Sequence, residues 1–461
     1  MSARISMNRR NFLGSLAAGL PMARAQGAAR KPNVVILLAD DMGYGDLASY
    51  GCPDIRSPHI DSLGRAGVRF TQFYDNGPEC SPTRCSLMTG RYQQRAGGLE
   101  CAIGLNDVGR YDDAIWLQER GELGLPVSET SMPQSFKAAG YDTGCFGKWH
   151  LGHPEKFWPN RHGFDEYFGF LGGGVDYFTH KEPEKDGRAN FYHNTTKIDV
   201  PGYTTDLFAE QAIQWLKQRN GHPFFLYMPF NAPHVPIQDP NGFDPKTGTA
   251  PWRQGDRPTY VKMVERLDQR VGDVLAQLDS MGASENTLVF FLSDNGGDPN
   301  GRNDPLRGRK SSLWEGGIRV PCMARWPGIL PAGKTLNQVS LTMDLLPTCL
   351  AAIGARPPRD RKLDGVDMLP VMTGKAAPFA RTVFWRFKRA KSVRKAVRDG
   401  DLKYVVDDGR EELHNFAGDE LERKNLLPDA AGEAKRLKAK LADWERDVMA
   451  PRLRPFRSEP G

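Results

Sequence analysis

The segment NVVILLADD, residues 33–41, decides the fold class that the sequence predicts. It is apolar without alternation and ends abruptly at two aspartates. A continuous apolar run of this length is typical of a strand that is buried on both faces of a mostly parallel sheet. Comparable runs that end in polar residues are YDTGCFGKWH at 141–150, PFFLYMPFNAPH at 223–234 and NTLVFFLSDNGG at 286–297.

Amphipathic helices are predicted between these strands. The clearest covers about residues 259–278, where one stripe carries Val264, Leu267, Val271, Val274, Leu275 and Leu278. Alternating strands and helices predict an α/β fold, with a large mostly parallel sheet flanked by helices. In such folds, ligands bind beyond the carboxyl ends of the strands.

These strand ends carry polar side chains in all of the quoted segments. Each one alone has an ordinary explanation, because a carboxylate can cap a helix, a lysine can lie in solvent and a histidine can be a hydrogen-bonded core residue. Together they suit metal binding or proton transfer, so we expect a functional site at this edge of the sheet. The residues are Asp40 and Asp41, Lys148 and His150, His234, and Asp294 and Asn295.

The chain is predicted to divide into a large domain at residues 30–375 and a small α+β subdomain at residues 376–461. From about residue 376, short strands are separated by the turn dipeptides Asp399-Gly400 and Asp408-Gly409. A polar helix is expected from about residue 431 to 448. The C-terminal part should therefore be a small antiparallel sheet plus a helix.

Residues 1–25 are predicted to be a cleaved export signal. Arg9 and Arg10 precede Phe12, Leu13 and a short apolar run. This pattern resembles the twin-arginine (Tat) type, which carries folded proteins across a bacterial inner membrane. An ordinary secretory signal is the alternative. Either signal predicts a periplasmic or secreted bacterial protein, and the first also predicts the Tat translocase as a partner.

The composition excludes several classes of protein. No apolar run reaches the roughly 18–20 residues of a membrane span. A net charge of +6 is a modest excess, and the basic residues between Arg381 and Arg398 suit either a polyanion or a solvated face. No nucleic-acid-binding motif accompanies them, so no nucleic-acid partner is predicted. The 7 cysteines are too sparse for a disulfide scaffold and fit no zinc spacing; we expect Cys80 to be free.

The segment CSPTRCSLMTGR, residues 80–91, predicts a site for an anion. Pro82 is favoured in the first turn of a helix, where its missing N–H does no harm. Cys80 is then expected just before the helix, where free N–H groups and the helix dipole favour negative charge. Arg84, one turn later, can direct its guanidinium towards the same place.

This segment resembles the signature of the type I sulfatases, C-x-[PA]-[ST]-R followed by x-x-L-x-T-G-R. The family belongs to the alkaline phosphatase superfamily. LLADDMGYGDL, GYDTGCFGKWHLG, NAPHVP, FFLSDNGG and LRGRKSSLWEGGIRVP resemble further family segments in the expected order. The sequence as a whole is similar to those of arylsulfatase A and N-acetylgalactosamine-6-sulfatase, and the resemblance covers roughly residues 31–425. It implies hydrolysis of a sulfate monoester on a carbohydrate or an aryl group.

The resemblance also implies roles for individual residues. Cys80 would be converted to Cα-formylglycine by a formylglycine-generating or sulfatase-maturating enzyme, and one hydroxyl of the hydrated aldehyde would attack sulfur. Lys148 and Arg84 would stabilise charge at residue 80. His150 would deprotonate its second hydroxyl, whereas His234 and Lys310 would bind sulfate and protonate the leaving alcohol. Asp294 would also accept the attacking proton. The metal ligands would be Asp40, Asp41, Asp294, Asn295 and an oxygen of residue 80.

These oxygen ligands suit Ca²⁺, and Mg²⁺ less well. Two alternatives to a sulfatase stay open on the sequence alone. One is a phosphonate or phosphodiester hydrolase of the same superfamily, which can use the same nucleophile. The other is a non-catalytic, calcium-stabilised glycan-binding protein. The family also uses a hydroxyl side chain beyond the Lys-x-His segment, which we do not assign within FGFLGGGVDYFTH.

Overall fold

The computed structural model describes residues 30–104, 112–182, 190–219, 221–242, 255–359 and 361–448. The predicted export signal at residues 1–25 lies outside them. The strands of this described part are β1 (Asn33–Ala39), β2 (Val68–Phe70), β3 (Phe73–Tyr74), β4 (Asp142–Lys148), β5 (Glu166–Phe170), β6 (Tyr192–His193), β7 (Thr196–Lys197), β8 (Phe224–Pro229), β9 (Thr287–Ser293), β10 (Cys322–Arg325), β11 (Lys334–Leu336), β12 (Ser340–Leu341), β13 (Thr382–Arg389), β14 (Ser392–Asp399), β15 (Leu402–Asp407) and β16 (Arg410–Asn415).

The α-helices in the same ranges are α1 (Pro58–Arg65), α2 (Cys80–Thr89), α3 (Gln93–Ala96), α4 (Asp112–Glu119), α5 (Met132–Ala138), α6 (Thr204–Lys217), α7 (Arg257–Ser280), α8 (Glu315–Ile318), α9 (Leu345–Ala352), α10 (Leu369–Met372) and α11 (Ala431–Asp447). None of the described helices is long and apolar enough to cross a membrane.

A 10-stranded sheet in the order β11-β2-β10-β9-β1-β8-β4-β5-β6-β7 organises the fold. The neighbours from β9 to β5 all run parallel, and β10, β6 and β7 pair antiparallel to their neighbours towards the two edges. The predicted large, mostly parallel sheet is therefore confirmed. The register pairs Val35 of β1 with Leu226 of β8 and with Val289 of β9.

The core lies on both faces of this sheet. Every residue of β1, β8 and β9 is buried, because helices cover both sides. The predicted helix at residues 259–278 is α7, and its whole apolar stripe is buried. The Asp256 side chain accepts a hydrogen bond from the Thr259 N–H at 2.9 Å, so a cap that satisfies a free backbone donor begins the helix.

The C-terminal sheet is antiparallel in the order β13-β14-β15-β16, and α11 packs against it. Gly400 and Gly409 have φ of 62° and 92°, which is the left-handed conformation that the two turns require. The predicted small antiparallel sheet with a terminal helix is thus confirmed. Trp385 of β13 is buried in the same apolar cluster as Leu38 of the large sheet. The boundary between residues 375 and 376 stays a prediction.

The basic residues of this sheet fit neither interpretation offered by the sequence. Most of them pair with carboxylates, some of the large domain and some of the C-terminal part itself, and Arg398 is only 2% exposed. They are therefore largely neutralised by the protein itself. The pairs are Arg381 with Asp344, Arg386 with Glu100 and Glu445, Lys388 with Asp113, Arg389 with Glu79, Arg394 with Asp407, and Lys395 with Glu445.

Candidate active site

The polar strand ends meet at one edge of the large sheet, because β9, β1, β8 and β4 are consecutive neighbours. Asp40 and Asp41 follow β1, His150 lies two residues beyond β4, and Asp294 follows β9. Asp41 and His150 have φ of 63° and 55°. Left-handed backbone at residues other than glycine carries strain and is concentrated at functional sites.

Helix α2 brings Cys80 to this edge. The helix begins at Cys80 itself, so the expectation that Cys80 lies just before a helix opened by Pro82 is wrong. Glu79 has extended backbone and acts as the N-cap residue, and Pro82 then occupies the third position, where no N–H is needed. The Cys80 thiol lies 3.3 Å from Asp40 Oδ1, and Lys148 Nζ lies 3.2 Å from Cys80 Sγ.

Arg84 connects α2 to two of the strands. Its Nε and Nη2 donate to Asp294 Oδ2 at 3.1 and 2.9 Å, and its Nη1 donates to the Lys148 carbonyl at 2.8 Å. Arg84 Nη2 also lies 3.6 Å from Asp40 Oδ1. The guanidinium is completely buried. It therefore holds α2 against the carboxylates rather than pointing into solvent.

Three side chains contact the Asp41 carboxylate. Lys310 Nζ lies 2.5 Å and His234 Nε2 lies 3.6 Å from Oδ2, and Asn295 Nδ2 donates to Oδ1 at 2.8 Å. Burial acts to raise the pKa of Asp41, but Lys310, His234 and Lys148 lower it below its usual value. Asp41 is therefore an ionised, strongly electronegative centre.

The donor atoms fit a divalent cation. One ligand atom from each of Asp40, Asp41, Cys80 and His234 lies within 4.8 Å of all the others. Asn295 Oδ1 is buried and has no hydrogen-bond partner, which is the state expected of an oxygen whose partner is a metal ion. His234 joins this group, although the sequence did not predict it as a metal ligand.

Asp294 differs from the other carboxylates. Burial and the nearby Asp40 raise the pKa of Asp294 to about 6. Its Oδ2 is engaged by Arg84, and its Oδ1 accepts from the Asp41 N–H at 3.2 Å. A bound cation would favour the ionised form of this carboxylate and lower its pKa.

His150 is held by a backbone carbonyl. Its Nε2 lies 2.8 Å from the Ile103 oxygen, and its Nδ1 is buried without a hydrogen-bond partner. Burial, with smaller effects from Lys148 and Arg84, lowers the pKa of His150 well below its ordinary value. The ring is therefore neutral, and Nδ1 is the nitrogen that can accept a proton.

Tyr177 and Glu79 belong to the surroundings of the site, and sequence reasoning missed both. The Tyr177 hydroxyl donates to the carbonyls of Asn231 and His234 at 2.7 and 2.8 Å, so it positions the loop that carries His234. Glu79 accepts from the Ser311 hydroxyl at 2.7 Å. Glu79 could have been identified from the sequence through its position next to Cys80. No motif spacing indicated Tyr177.

All 7 cysteines are buried. Burial and the nearby Asp40 raise the pKa of the Cys80 thiol well above its ordinary value. A thiol becomes a nucleophile as the thiolate. Cys80 as encoded is therefore a poor nucleophile in this environment.

Comparison with known proteins places these features in a family. The family model described as Sulfatase matches residues 32–355. The chain is 37% identical to N-acetylgalactosamine-6-sulfatase of Canis lupus familiaris over 378 residues, which cover 78% of this chain and 68% of that protein. It is 33% identical to arylsulfatase A of Bos taurus over 418 residues, which cover 83% of this chain and 76% of that protein.

Solved structures agree with this assignment. The crystal structure of Ps i-CgsB in complex with k-i-k-neocarrahexaose matches with a TM-score of 0.80 and 31% sequence identity. The match covers 91% of this chain and 94% of that chain. Similarity at this level extends over the large sheet and the C-terminal sheet together.

Proposed function

The chain belongs to the sulfatase family, and we propose that it hydrolyses the sulfate monoesters of a glycan through a formylglycine derived from Cys80. The position of Cys80 carries this proposal. Its sulfur shares a buried cluster with two aspartates and His234, and Lys148 approaches it to 3.2 Å. A group at residue 80 thus lies between acidic side chains that can hold a cation and the cationic Lys148.

The low reactivity of the thiol supports conversion of Cys80. Burial and the neighbouring Asp40 raise the pKa of the Cys80 thiol although Lys148 lowers it, which disfavours the thiolate as the nucleophile. A hydrated formylglycine supplies two hydroxyls on one carbon, so that one can attack sulfur and the other can expel sulfate.

Calcium is the proposed metal ion. Asp40, Asp41, Asp294 and Asn295 would hold it together with an oxygen of residue 80, because hard oxygen donors suit Ca²⁺. When bound, the ion would supply Lewis-acid polarisation of the sulfate group. The unpartnered Asn295 Oδ1 supports this ligand set.

The other side chains are proposed to stabilise charge or to transfer protons. Arg84 and Lys148 hold positive charge beside residue 80, where negative charge develops during transfer. His150 is neutral and has a free Nδ1, which suits a general base. Asp294 is proposed to accept the proton of the attacking hydroxyl.

His234 and Lys310 are proposed to act on the leaving group. Both approach Asp41 Oδ2 from the solvent side of the cluster, and each side chain is only 14–15% exposed. Lys310 is held as a cation, because Asp41 raises the pKa of Lys310 although burial opposes it. A cation there can bind the sulfate group and stabilise the charge that develops on it.

A sulfated carbohydrate is the preferred substrate class. The curated relative acts, by its name, on N-acetylgalactosamine 6-sulfate, and the structural relative holds a neocarrahexaose. A phosphonate or phosphodiester hydrolase is the alternative in the same superfamily. Identity of 33–37% to proteins named as sulfatases supports the sulfate ester over this alternative.

Export and maturation complete the proposal. The twin-arginine pattern at Arg9 and Arg10 favours export of a folded chain to the periplasm or beyond. We place oxidation of Cys80 in the cytoplasm, before export. Unmodified Cys80 in the cytoplasmic precursor together with formylglycine in the exported form would contradict this order.

Mass spectrometry of the tryptic peptide at residues 70–84 is the test of the nucleophile. The protein should come from a host that contains a formylglycine-generating enzyme. We expect the peptide to be lighter by the exchange of sulfur and two hydrogens for one oxygen, and the protein to release sulfate from aryl and glycan sulfates. An intact thiol with no sulfate release would refute the proposal.

Matched aryl substrates would separate the two reaction classes. We expect faster turnover of an aryl sulfate than of the corresponding aryl phosphonate, and the reverse order would favour the alternative hydrolase. The Cys80→Ala variant is the control for both assays, because it retains the site but cannot form the aldehyde.

A further inference from the structure

Ser81 links the candidate base, His150, to Ile103, whose carbonyl contacts the His150 ring. Its side chain is completely buried. The hydroxyl donates to the His150 carbonyl at 2.9 Å and accepts from the Ile103 N–H at 3.0 Å. Ile103 in turn accepts from His150 Nε2 at 2.8 Å. Ser81, Ile103 and His150 therefore form a closed triangle of hydrogen bonds.

Glu79 holds the same segment from the other side of Cys80. Its Oε2 accepts from the Ala102 N–H at 2.8 Å, and its Oε1 accepts from Ser311 at 2.7 Å. Glu79 is 1% exposed. The backbone of residues 102–103 is thus fastened at two successive N–H groups to the two residues that flank the nucleophile.

The triangle determines which nitrogen of His150 carries its proton. A carbonyl oxygen only accepts hydrogen bonds, so the neutral imidazole must place its N–H at Nε2. The lone pair is then at Nδ1, where no partner competes for it. If the Ile103 carbonyl turned away, nothing in its place would favour this tautomer.

We propose that Ser81 is a positioning residue that keeps the Ile103 carbonyl against His150 Nε2 and thereby keeps Nδ1 ready to accept a proton. This inference rests on the proposed role of His150 as the base. Ser81 itself touches neither the sulfate nor the reacting atoms, so its effect should be confined to the step that His150 assists.

Three variants test this role. Ser81→Ala removes both hydrogen bonds, Ser81→Thr keeps the hydroxyl, and Ser86→Ala is the matched control. Ser86 is a buried serine of the same helix, and its hydroxyl donates to Gln93 rather than to the site. The aldehyde content of each variant is first measured by mass spectrometry, and rates are expressed per formylglycine.

We expect Ser81→Ala to retain the rapid first release of alcohol but to lose steady-state turnover by roughly 10- to 100-fold, as for other partners that orient a histidine. Covalent sulfate should accumulate at residue 80. Ser81→Thr should restore turnover, and Ser86→Ala should not change it. Unchanged steady-state turnover in Ser81→Ala would overturn the inference.

The tautomer gives a second readout that does not depend on turnover. In protein with ¹⁵N-labelled histidine, the wild-type His150 signals should report a protonated Nε2 and an unprotonated Nδ1, with His150→Gln used for assignment. Ser81→Ala should shift both signals towards a tautomer mixture. An unchanged pattern would overturn the inference. Aldehyde-bearing wild type that releases no sulfate would instead overturn the proposed function, and the ¹⁵N pattern would still decide the role of Ser81.

Discussion

Arg84 donates two hydrogen bonds to a single oxygen of Asp294, and both side chains are completely buried. The residues are 210 positions apart in the sequence. One belongs to the helix that begins at the nucleophile, and the other follows the strand that supplies predicted metal ligands. This contact therefore fixes the distance between the two halves of the site.

Replacing Arg84 by methionine should destabilise the calcium-free protein. Removing one partner of a buried ion pair typically costs about 3–5 kcal/mol. Because the pKa of Asp294 is already about 6, protonation can relieve part of the cost, and we expect about 3 kcal/mol. Urea unfolding at pH 7 of the form with unmodified Cys80 measures the change.

Arg161→Met is the control for this measurement. Arg161 pairs with Glu155, and both side chains are 58% exposed, so solvent screens their attraction and little change is expected. Equal losses of stability in the two variants would contradict a structural role for the Arg84–Asp294 contact.

Calcium should stabilise the folded protein through the carboxylate cluster. A ligand at 100 times its dissociation constant adds about 2.7 kcal/mol to the free energy of unfolding. We therefore expect the melting temperature to rise on titration of calcium into chelator-treated protein, and the rise to be lost in Asn295→Ala. The outer-surface variant Asn241→Ala should respond like the wild type, and a full calcium response in Asn295→Ala would exclude Asn295 as a ligand.

Loss of the base should stop the reaction after the sulfate group has been transferred to residue 80. In His150→Ala, the alcohol should leave once and sulfate should stay covalently attached at residue 80, because no side chain removes the second proton. Mass spectrometry of the peptide at residues 70–84 after a single turnover detects this sulfate. His193→Ala, at an exposed histidine paired with Glu166, should turn over normally; normal turnover in His150→Ala would refute its role as the base.

Protonation of His162 should lower the free energy of unfolding at acidic pH. Burial lowers the pKa of His162 from 6.5 to about 4, so the unfolded chain binds more protons between these values. Stability should fall as the pH drops from 6.5 to 4, by about 3 kcal/mol for this group. His162→Phe should flatten that part of the curve in denaturant unfolding, and an equally steep curve in the variant would contradict the assignment.

The four buried strands and the polar residues at their ends could be predicted from the sequence, because hydrophobic periodicity is a local pattern. A run such as NVVILLADD is typical of a strand in a sheet covered on both faces, so the mostly parallel sheet and the expectation that Asp41 and Asp294 lie at one edge followed from periodicity. The start of α2 was misplaced, since the extended backbone of Glu79, and not Pro82, determines where that helix begins.

The sequence by itself determined the fold class and the sulfatase family, and it supplied the candidate nucleophile segment and the candidate site residues, because each of these depends on neighbours in the chain. Only the tertiary structure decided which nitrogen of His150 lacks a hydrogen-bond partner and that His234 lies beside Asp41. It also decided that most of the basic C-terminal residues form ion pairs within the protein. Such contacts join segments far apart in the sequence. Their geometry is set by packing of the whole sheet, which no local pattern records.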